Sequence, residues 1–335
     1  MREPTPNLAE TVPSLPEDPA LIETRASVPP PPAVKRPEAP ARIGRFVVLR
    51  PLGAGGMGQV FLAYDEALDR KVALKLLRAA DWDEGRARLR REAQAMARVA
   101  HPNVVPIFEV GEHAGQVFLA MEYVVGVTLK EWAEAAPRGW REIVGVYLQA
   151  ARGLQAAHAV DVVHRDFKPE NALVSSDVDG VRVRVLDFGL AALPAPSDMN
   201  TESDAEGSLD APAAFATVAG TVMGTPAYMA PEQHLAAPTD ARTDVFAFTV
   251  ALYEALYDER PFGGETFDEL QRAVTTGRVQ PAPAGAQVPP WLRRVLLRGL
   301  AVDPDARWPS MAALLAALSR DPERSRRRWL AAGVA

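Results

Sequence analysis

Short runs of alternating apolar and polar residues fill much of the chain between residues 46 and 122. Alternation with a period of two, rich in β-branched and aromatic residues, is typical of β-strands. The last two runs flank the segment 112–115, a connection short enough for a β-hairpin. We therefore expect one antiparallel sheet of five strands, at residues 46–49, 59–64, 71–76, 107–110 and 116–122.

Helical periodicity appears once inside this region and dominates after residue 127. Segment 245–256 is apolar almost all round, which predicts a helix in the centre of a lobe, and Ser310 can cap a helix that begins at Met311. The pattern predicts an α+β fold with a small antiparallel β N-lobe containing one main helix, and a larger, mostly helical C-lobe. Residues that share a helix face are Leu89, Ala93, Met96 and Ala100, and then Tyr147, Ala150, Ala151, Leu154 and His158.

Composition separates the N-terminal region from the rest of the chain. Residues 1–40 hold 11 of the 30 prolines, and such a stretch buries too little surface to offset the entropy of ordering. We expect a disordered tail over residues 1–44, with a proline-rich ligand for a partner protein as the alternative.

Charge and cysteine content narrow the functional classes. A net charge of −6 gives little support to nucleic-acid binding, so we expect proteins or small molecules as partners and no nucleic acid. The absence of cysteine excludes disulfides, thiolate metal sites and cysteine nucleophiles. It also fits a reducing, cytoplasmic location, and residues 1–40 contain no apolar run suited to a secretory leader.

A glycine-rich segment follows the first predicted strand and matches the pattern G-x-G-x-x-G-x-V. Glycines allow the backbone to approach phosphate oxygens closely. A dinucleotide-binding fold uses similar glycines, but a helix follows them there, whereas a strand follows here. A glycine-rich hairpin without a ligand is the other alternative. The candidate phosphate-binding residues are Gly53, Ala54, Gly55, Gly56, Met57, Gly58 and Val60.

Lys75 is a candidate phosphate-binding cation on the third predicted strand. Alternation places it on the same face as Ala73, opposite Val72 and Leu74, so that a nucleobase could pack on Ala73 and Val60. Glu92, on the helix that follows, is a suitable carboxylate to position the ammonium. The alternatives are a solvated lysine at a strand end and an ordinary surface glutamate.

Two segments further along the chain carry the strongest chemical signal: His164 to Asn171, and Asp187-Phe188-Gly189. Phosphoryl transfer needs a carboxylate that orients the attacking hydroxyl and accepts its proton, a role that suits Asp166. It also needs oxygen ligands for a metal ion on the phosphates, for which Asn171 and Asp187 are candidates. Lys168 can neutralise charge on the transferred group. The alternative is an acidic loop with incidental spacing.

These segments resemble those of eukaryotic-type protein kinases, and more narrowly the bacterial serine/threonine kinases, over roughly residues 45–320. The resemblance implies a two-lobed protein-kinase-like fold with an N-lobe over 45–124 and a C-lobe over 125–320. It also implies ATP and Mg²⁺ as cofactors, with Mn²⁺ as an alternative ion. The expected function is transfer of the γ-phosphate of ATP to serine and threonine hydroxyls of proteins.

The resemblance also implies roles for residues outside the two strongest segments. Ala230-Pro231-Glu232 resembles the end of an activation segment, with Arg307 as the partner of its glutamate, and Asp244 matches an aspartate that steadies the catalytic loop. Lys168 and Thr225 are typical of serine/threonine rather than tyrosine kinases. The residues implied around adenine are Leu52, Val60, Ala73, the hinge Glu122-Tyr123-Val124, the gatekeeper Met121, and Leu173.

The chain departs from the family pattern at three apolar or small positions and at no charged catalytic group. Phe167 replaces the usual leucine, Met57 a common aromatic residue, and Thr249 stands where glycine is frequent. Two rival functions remain: a pseudokinase scaffold that binds nucleotide and partners without catalysis, and a small-molecule phosphotransferase. The usual mark of a pseudokinase is loss of the lysine, the catalytic aspartate or the metal aspartate, whereas Lys75, Asp166, Asn171 and Asp187 are all present here.

Two regions suggest regulation. Arg165 could bind a phosphate on the segment after Asp187, so we hypothesise autophosphorylation in trans at Thr217 or Thr221, the alternative being ordinary loop threonines. Residues 321–335 place arginines before a short apolar run, which resembles the cytoplasmic edge of a membrane helix. A location at the inner membrane face would follow if the natural chain continues into such a helix after Arg328. A basic frayed tail is the alternative.

Overall fold

The computed structural model describes residues 40–55, 58–77, 83–177, 180–188 and 225–321. Its N-terminal part is one antiparallel sheet of six strands in the order β1-β2-β3-β4-β6-β5, which confirms the predicted sheet. Most strands extend beyond their predicted bounds. The strands are β1 Arg42–Ile43, β2 Phe46–Gly55, β3 Gly58–Asp65, β4 Arg70–Leu77, β5 Ile107–His113 and β6 Gln116–Glu122.

Strand β1 is not predicted by the sequence, because two residues are too few for alternation to show. It pairs Ile43 with Phe46, and both side chains are fully buried. The apolar face of the sheet includes Val72 and Leu74 of β4, while Phe46 and Phe118 pack edge to face with their ring centroids 6.0 Å apart. The opposite face of β4 therefore carries Ala73 and Lys75, as alternation predicts.

The hairpin between β5 and β6 is confirmed, but its connection is two residues shorter than predicted. Ala114 and Gly115 alone form the turn, with φ values of 49° and 77°. Positive φ at both central residues matches the right-handed twist of the strands, so pairing extends to His113 and Gln116.

Helix α1, Asp83–Met96, ends earlier than its apolar spacing suggests. Ala93 and Met96 are buried as predicted, but Ala100 is exposed and lies beyond the helix, so its assignment to that face is wrong. Residues 98 and 99 bond to carbonyls three positions back, a tightened last turn, and Pro102 follows shortly.

The C-terminal part is mainly helical, as predicted. Tyr147, Ala150, Ala151 and Leu154 are buried on α3, and Ser310 caps α8 by accepting a bond from Ala313 N. The helices are α2 Leu129–Glu134, α3 Trp140–His158, α4 Pro231–His234, α5 Ala241–Tyr257, α6 Phe267–Thr275, α7 Pro290–Gly299 and α8 Met311–Ser319. Short 3₁₀ helices span Pro169–Asn171, Thr225–Tyr228 and Pro304–Ala306.

A small three-stranded sheet within this helical part is absent from the sequence prediction. It consists of β7 Val127–Thr128, β8 Ala172–Asp177 and β9 Gly180–Val185. Val185 is bridged in parallel to Val104, which ties this sheet to the chain that leads into β5. Through this bridge, the small sheet holds the chain segments next to its strands at the junction of the two lobes.

Helix α5 forms the centre of the C-lobe, as its apolar composition predicts, and residues 243–253 are all buried. Tyr147 of α3 packs its ring 5.8 Å from Phe248 and donates a hydrogen bond to the carbonyl of Ala251. Thr249 fits here because its neighbour on α7 is Gly299, where a Cβ would lie 2.4 Å from Thr249 Oγ1. Within the described ranges, no helix combines the length and apolar character needed to cross a bilayer.

Candidate active site

Lys75 on β4 forms an ion pair with Asp187, which follows β9. Lys75 Nζ lies 2.8 Å from Asp187 Oδ1, and the lysine side chain is only 6% exposed. Asp187 has a φ of 66°, a left-handed conformation that few residues other than glycine adopt. The pair therefore joins the N-lobe sheet to the C-lobe through two residues in constrained positions.

The glycines at the β2–β3 hairpin differ in what requires them. A Cβ added at Gly53 or Gly55 would meet no other heavy atom within 4 Å, so internal packing does not demand glycine at either position. Such room fits a backbone that approaches an external group such as phosphate. Gly58 has a φ of 147°, and a Cβ there would lie 2.1 Å from the carbonyl oxygen of Leu76, so only glycine fits against β4. Gly56 and Met57 lie outside the described residues.

Several apolar residues share the face of the sheet that carries Lys75. Val60 is the register partner of Lys75, and Met121 is the partner of Ala73. Directly opposed residues in an antiparallel sheet point to the same side. The predicted nucleobase surface on Val60 and Ala73 is thus next to the ammonium.

The other residues predicted to contact adenine are placed at the edges of the two lobes. Leu52 is on β2 and 38% exposed, and Glu122 ends β6 with its N–H bonded to the carbonyl of Pro106. Val124 follows β6, while the half-buried Leu173 lies on β8 opposite Thr128. Their grouping around a nucleobase stays a prediction.

Asp166 is the centre of a second polar cluster, in the 164–171 loop. Lys168 Nζ lies 3.2 Å from Asp166 Oδ2. Asn171 Nδ2 donates to the Asp166 carbonyl at 2.8 Å and to its Oδ2 at 3.3 Å. Because the amide nitrogen faces Asp166, the amide oxygen is the end that can face a cation.

One backbone hydrogen bond joins the two clusters. Leu186 N donates to the carbonyl oxygen of Asn171 at 3.0 Å, so the residue before Asp187 is tied to the end of the 164–171 loop. His164 strengthens the link, since its Nε2 lies 2.9 Å from the Leu186 carbonyl and its ring centroid lies 4.7 Å from that of the buried Phe188.

Asp244, at the start of α5, stabilises the backbone of the 164–171 loop. Its carboxylate is fully buried and accepts bonds from His164 N at 2.7 Å and Arg165 N at 2.8 Å. His158 Nε2 lies 2.7 Å from Asp244 Oδ2. The sequence indicated Asp244 but not His158, which reads there as part of an apolar helix face.

Glu232 and Arg307 form a buried, bidentate ion pair. Arg307 Nη1 and Nη2 donate to the two carboxylate oxygens at 2.8 and 2.7 Å, and Thr243 Oγ1 adds a bond at 2.8 Å. Burial, the largest single effect, would raise the pKa of Glu232. The hydrogen bonds and charge of Arg307, together with a backbone N–H bond and the bond from Thr243, outweigh burial and hold the pKa below its ordinary value. The predicted partnership of Arg307 with Glu232 is confirmed.

For some predicted residues the expected role stays a prediction. Glu92 is half-buried on α1, next to the buried Ala93, and its pairing with Lys75 stays a prediction. Gly189, Thr217 and Thr221 lie outside the described residues.

A divalent ion fits the donor set of this site. Within the described part of the chain, no group of three or more His, Cys, Asp or Glu residues could hold a metal by itself. The candidate ligands are one carboxylate, Asp187, and one amide oxygen, Asn171. Such a sparse set is characteristic of Mg²⁺ that is shared with the phosphates of a nucleotide.

Comparison with solved structures agrees with this architecture. The kinase domain of Mycobacterium tuberculosis PknI superposes with a TM-score of 0.61 at 25% sequence identity, covering 83% of this chain and 96% of that one. Similar proteins with curated names include the serine/threonine-protein kinase pkn2 of Myxococcus xanthus, 39% identical over 66% of this chain, and Pkn1 of the same organism, 36% identical over 83%. The chain spans 25% and 38% of the length of these two relatives.

A family model described as the protein kinase domain matches residues 46–317. This match covers far more than half of the 335-residue chain, and the similar proteins with curated names are bacterial serine/threonine kinases. The chain therefore belongs to the protein kinase family, among the eukaryotic-type kinases of bacteria.

Proposed function

We propose that this chain is a serine/threonine protein kinase, which transfers the γ-phosphoryl group of ATP to hydroxyl groups of proteins, including its own. Protein kinases use ATP and a divalent metal ion, act on proteins and commonly act on themselves. The observation that carries the proposal is the joining of two clusters, Lys75 with Asp187 and Asp166 with Lys168 and Asn171, through the bond between Leu186 N and the Asn171 carbonyl.

In this proposal Asp166 orients the acceptor hydroxyl and takes its proton. The residue is 8% exposed, so its carboxylate is largely shielded from water. Lys168, 3.2 Å away, stabilises negative charge that develops on the transferred group. Asn171 holds the backbone and carboxylate of Asp166 in place through its amide nitrogen.

The remaining site residues bind the nucleotide and the ion. Lys75 binds phosphate oxygens, with Glu92 positioning it, and Asn171 and Asp187 bind Mg²⁺, for which Mn²⁺ could substitute. When bound, the ion neutralises charge on the phosphates. The nucleotide-binding residues we propose are Leu52, Gly53, Ala54, Gly55, Gly56, Met57, Gly58, Val60, Ala73, Glu122, Val124 and Leu173.

The acceptor class follows from residues beyond the nucleotide. Lys168 and Thr225 are typical of serine/threonine kinases, and segment 225–232 resembles the part of a kinase that docks polypeptides. A pseudokinase gains no support, since Lys75, Asp166, Asn171 and Asp187 are all retained. We also propose a cytoplasmic location, because the cysteine-free composition fits a reducing compartment.

Autophosphorylation at Thr217 or Thr221 is part of the proposal. Among the described residues, no hydrogen-bond partner of the buried Arg165 Nε is present, so this guanidinium retains a donor for a phosphate. Peptide mapping of active protein should find phosphate on one of the two threonines. Active protein with both threonines unmodified would contradict this part.

The test is transfer from γ-labelled ATP to the chain itself and to a generic basic protein. We expect phosphoserine or phosphothreonine with the wild-type chain, and at least about a hundredfold less label with Asp166→Asn or Asp187→Ala. Asp161→Asn is a matched control, because Asp161 is exposed and close to the same loop. Equal labelling in all four proteins would exclude the proposal.

A further inference from the structure

The side-chain amide of Gln233 bonds to two parts of the chain that have different roles in the proposed function: segment 225–232 and the 164–171 loop. Its Oε1 accepts a hydrogen bond from Ala230 N at 3.0 Å, and its Nε2 donates to the carbonyl oxygen of Arg165 at 2.7 Å. A backbone N–H can only donate and a carbonyl can only accept, so these partners fix which end of the amide faces which. Gln233 is therefore a two-ended bridge between α4 and the 164–171 loop.

The loop end of this bridge holds the residue directly before Asp166. Arg165 has a φ of 63°, which is unfavourable for a side chain with a Cβ and persists only when neighbours enforce it. Its N–H donates to Asp244 and its carbonyl accepts from Gln233. Loss of the Gln233 bond would release one side of this constrained residue and loosen the backbone of Asp166.

The other end of the bridge lies in segment 225–232. Ala230 is fully buried, and the segment is anchored on both sides of it. Tyr228 donates from its hydroxyl to Glu254 Oε2 at 2.5 Å, and Glu232 is paired with Arg307. Gln233 thus connects a firmly held segment, to which the proposed function assigns polypeptide docking, with the loop that carries the proposed base.

We propose that Gln233 is a positioning residue that aligns Asp166 with an acceptor held by segment 225–232. This inference rests on the proposed function, since it assigns Gln233 a role in the same reaction. Gln233 acts through the Arg165 carbonyl, so its loss should lower kcat and leave the KM for ATP nearly unchanged.

The substitution Gln233→Glu separates the two ends of the bridge. It keeps an acceptor for Ala230 N and replaces the donor to the Arg165 carbonyl by a second acceptor. We expect kcat to fall about tenfold or more, with the KM for ATP within about twofold of wild type. At lower pH the introduced carboxyl group becomes protonated and regains a donor, so kcat relative to wild type should rise about threefold or more between about pH 8 and pH 5.

Gln271→Glu is the matched control. Gln271 Nε2 donates to the carbonyl of His234 at 2.9 Å, so the same substitution breaks the same kind of bond at the opposite end of α4. This variant should keep wild-type kcat and show no recovery at low pH. Equal losses of kcat in the two variants would mean that α4 merely needs stabilisation, which would overturn the proposal.

Gln233→Met is the second variant, in case Gln233→Glu does not fold. It keeps the length of the side chain and removes both hydrogen bonds, so kcat should fall and its ratio to wild type should not change with pH. Wild-type kcat in a folded Gln233→Glu or Gln233→Met protein would overturn the inference alone. A wild-type chain that transfers no phosphate would overturn the proposed function as well.

Discussion

Lys75 and Asp187 lie 2.8 Å apart, although one comes from the sheet and the other from the segment after the small C-lobe sheet. The charges of the two side chains therefore neutralise each other across the junction between the lobes. Nucleotide binding should exchange these partners, with phosphate oxygens facing the ammonium and the divalent ion facing the carboxylate.

Replacing Lys75 by methionine should lower phosphate transfer by about a hundredfold or more, because the proposed phosphate-binding site loses its buried cation. Lys71→Met is the control, since Lys71 is exposed on the same strand. The measurement is kcat/KM for ATP with a protein acceptor. Transfer by Lys75→Met within tenfold of wild type would contradict the assigned role.

Asp244→Asn should loosen the 164–171 loop. The change replaces one carboxylate oxygen by an NH₂ group, which cannot accept from His164 N or Arg165 N. One oxygen remains, so one of the two bonds is lost. We expect the amide that loses its acceptor to exchange hydrogen about tenfold faster or more, and kcat to fall. Asp258→Asn, at an exposed helix end, should leave both amides unchanged. Equal exchange in Asp244→Asn and wild type would refute this account of the loop.

Arg307→Met should reduce the free energy of unfolding by about 3–5 kcal/mol, because it leaves the Glu232 carboxylate buried without its cation. Arg294→Met, at an exposed position of α7, should change it by about 0.5 kcal/mol or less. Urea unfolding measures both values. A loss below about 1 kcal/mol in Arg307→Met would contradict the assigned importance of the pair.

The same pair predicts a pH dependence. The pKa of Glu232 is lower in the folded protein than its ordinary value of 4.5, so its stabilising contribution is complete above about pH 4.5 and is lost as the pH falls through the folded-state pKa. The difference in unfolding free energy between wild type and Glu232→Gln should therefore be constant near neutral pH and shrink in acid. A difference that grows as the pH falls would show that the pKa of Glu232 is raised in the folded protein, which would contradict this account.

Gly299→Ala should destabilise the C-lobe by about 1–3 kcal/mol, because the added Cβ would lie 2.4 Å from Thr249 Oγ1. Thr249→Ala removes that atom, so the two substitutions together should cost less than the sum of the single costs. Gly145→Ala on α3, where a Cβ meets nothing within 4 Å, should instead stabilise by about 0.5–1 kcal/mol. Additive costs at positions 249 and 299 would argue against the contact.

The sequence predicted best those features that depend on local periodicity. Alternation was enough to place Lys75 and Ala73 on one face of β4, and the apolar length of α5 was enough to place it in the centre of the C-lobe. The assignment of Ala100 to the buried helix face was wrong, because spacing alone does not show where a helix ends. Strand β1 and the small sheet were not predicted, because their strands are short and depend on distant partners for their hydrogen bonds.

Within the site, the sequence identified the charged side chains and Asn171, but not Gln233 and His158, which bond to the loop and to the aspartate that supports it. Gln233 and His158 act through partners far away in the chain, Arg165 and Asp244, and no local pattern distinguishes them from ordinary polar residues. The direct ion pair of Lys75 with Asp187 was not predicted from the sequence, which suggested Glu92 as a partner of Lys75, and that second pairing stays a prediction.

The rate constant of a single turnover at saturating ATP and Mg²⁺ tests the central claim most directly, with Asp166→Asn compared with Asp161→Asn. We predict that Asp166→Asn transfers the phosphoryl group at least about a hundredfold more slowly while binding ATP as tightly as wild type, and that Asp161→Asn matches wild type. A rate for Asp166→Asn within tenfold of wild type would show that phosphate transfer does not depend on this carboxylate.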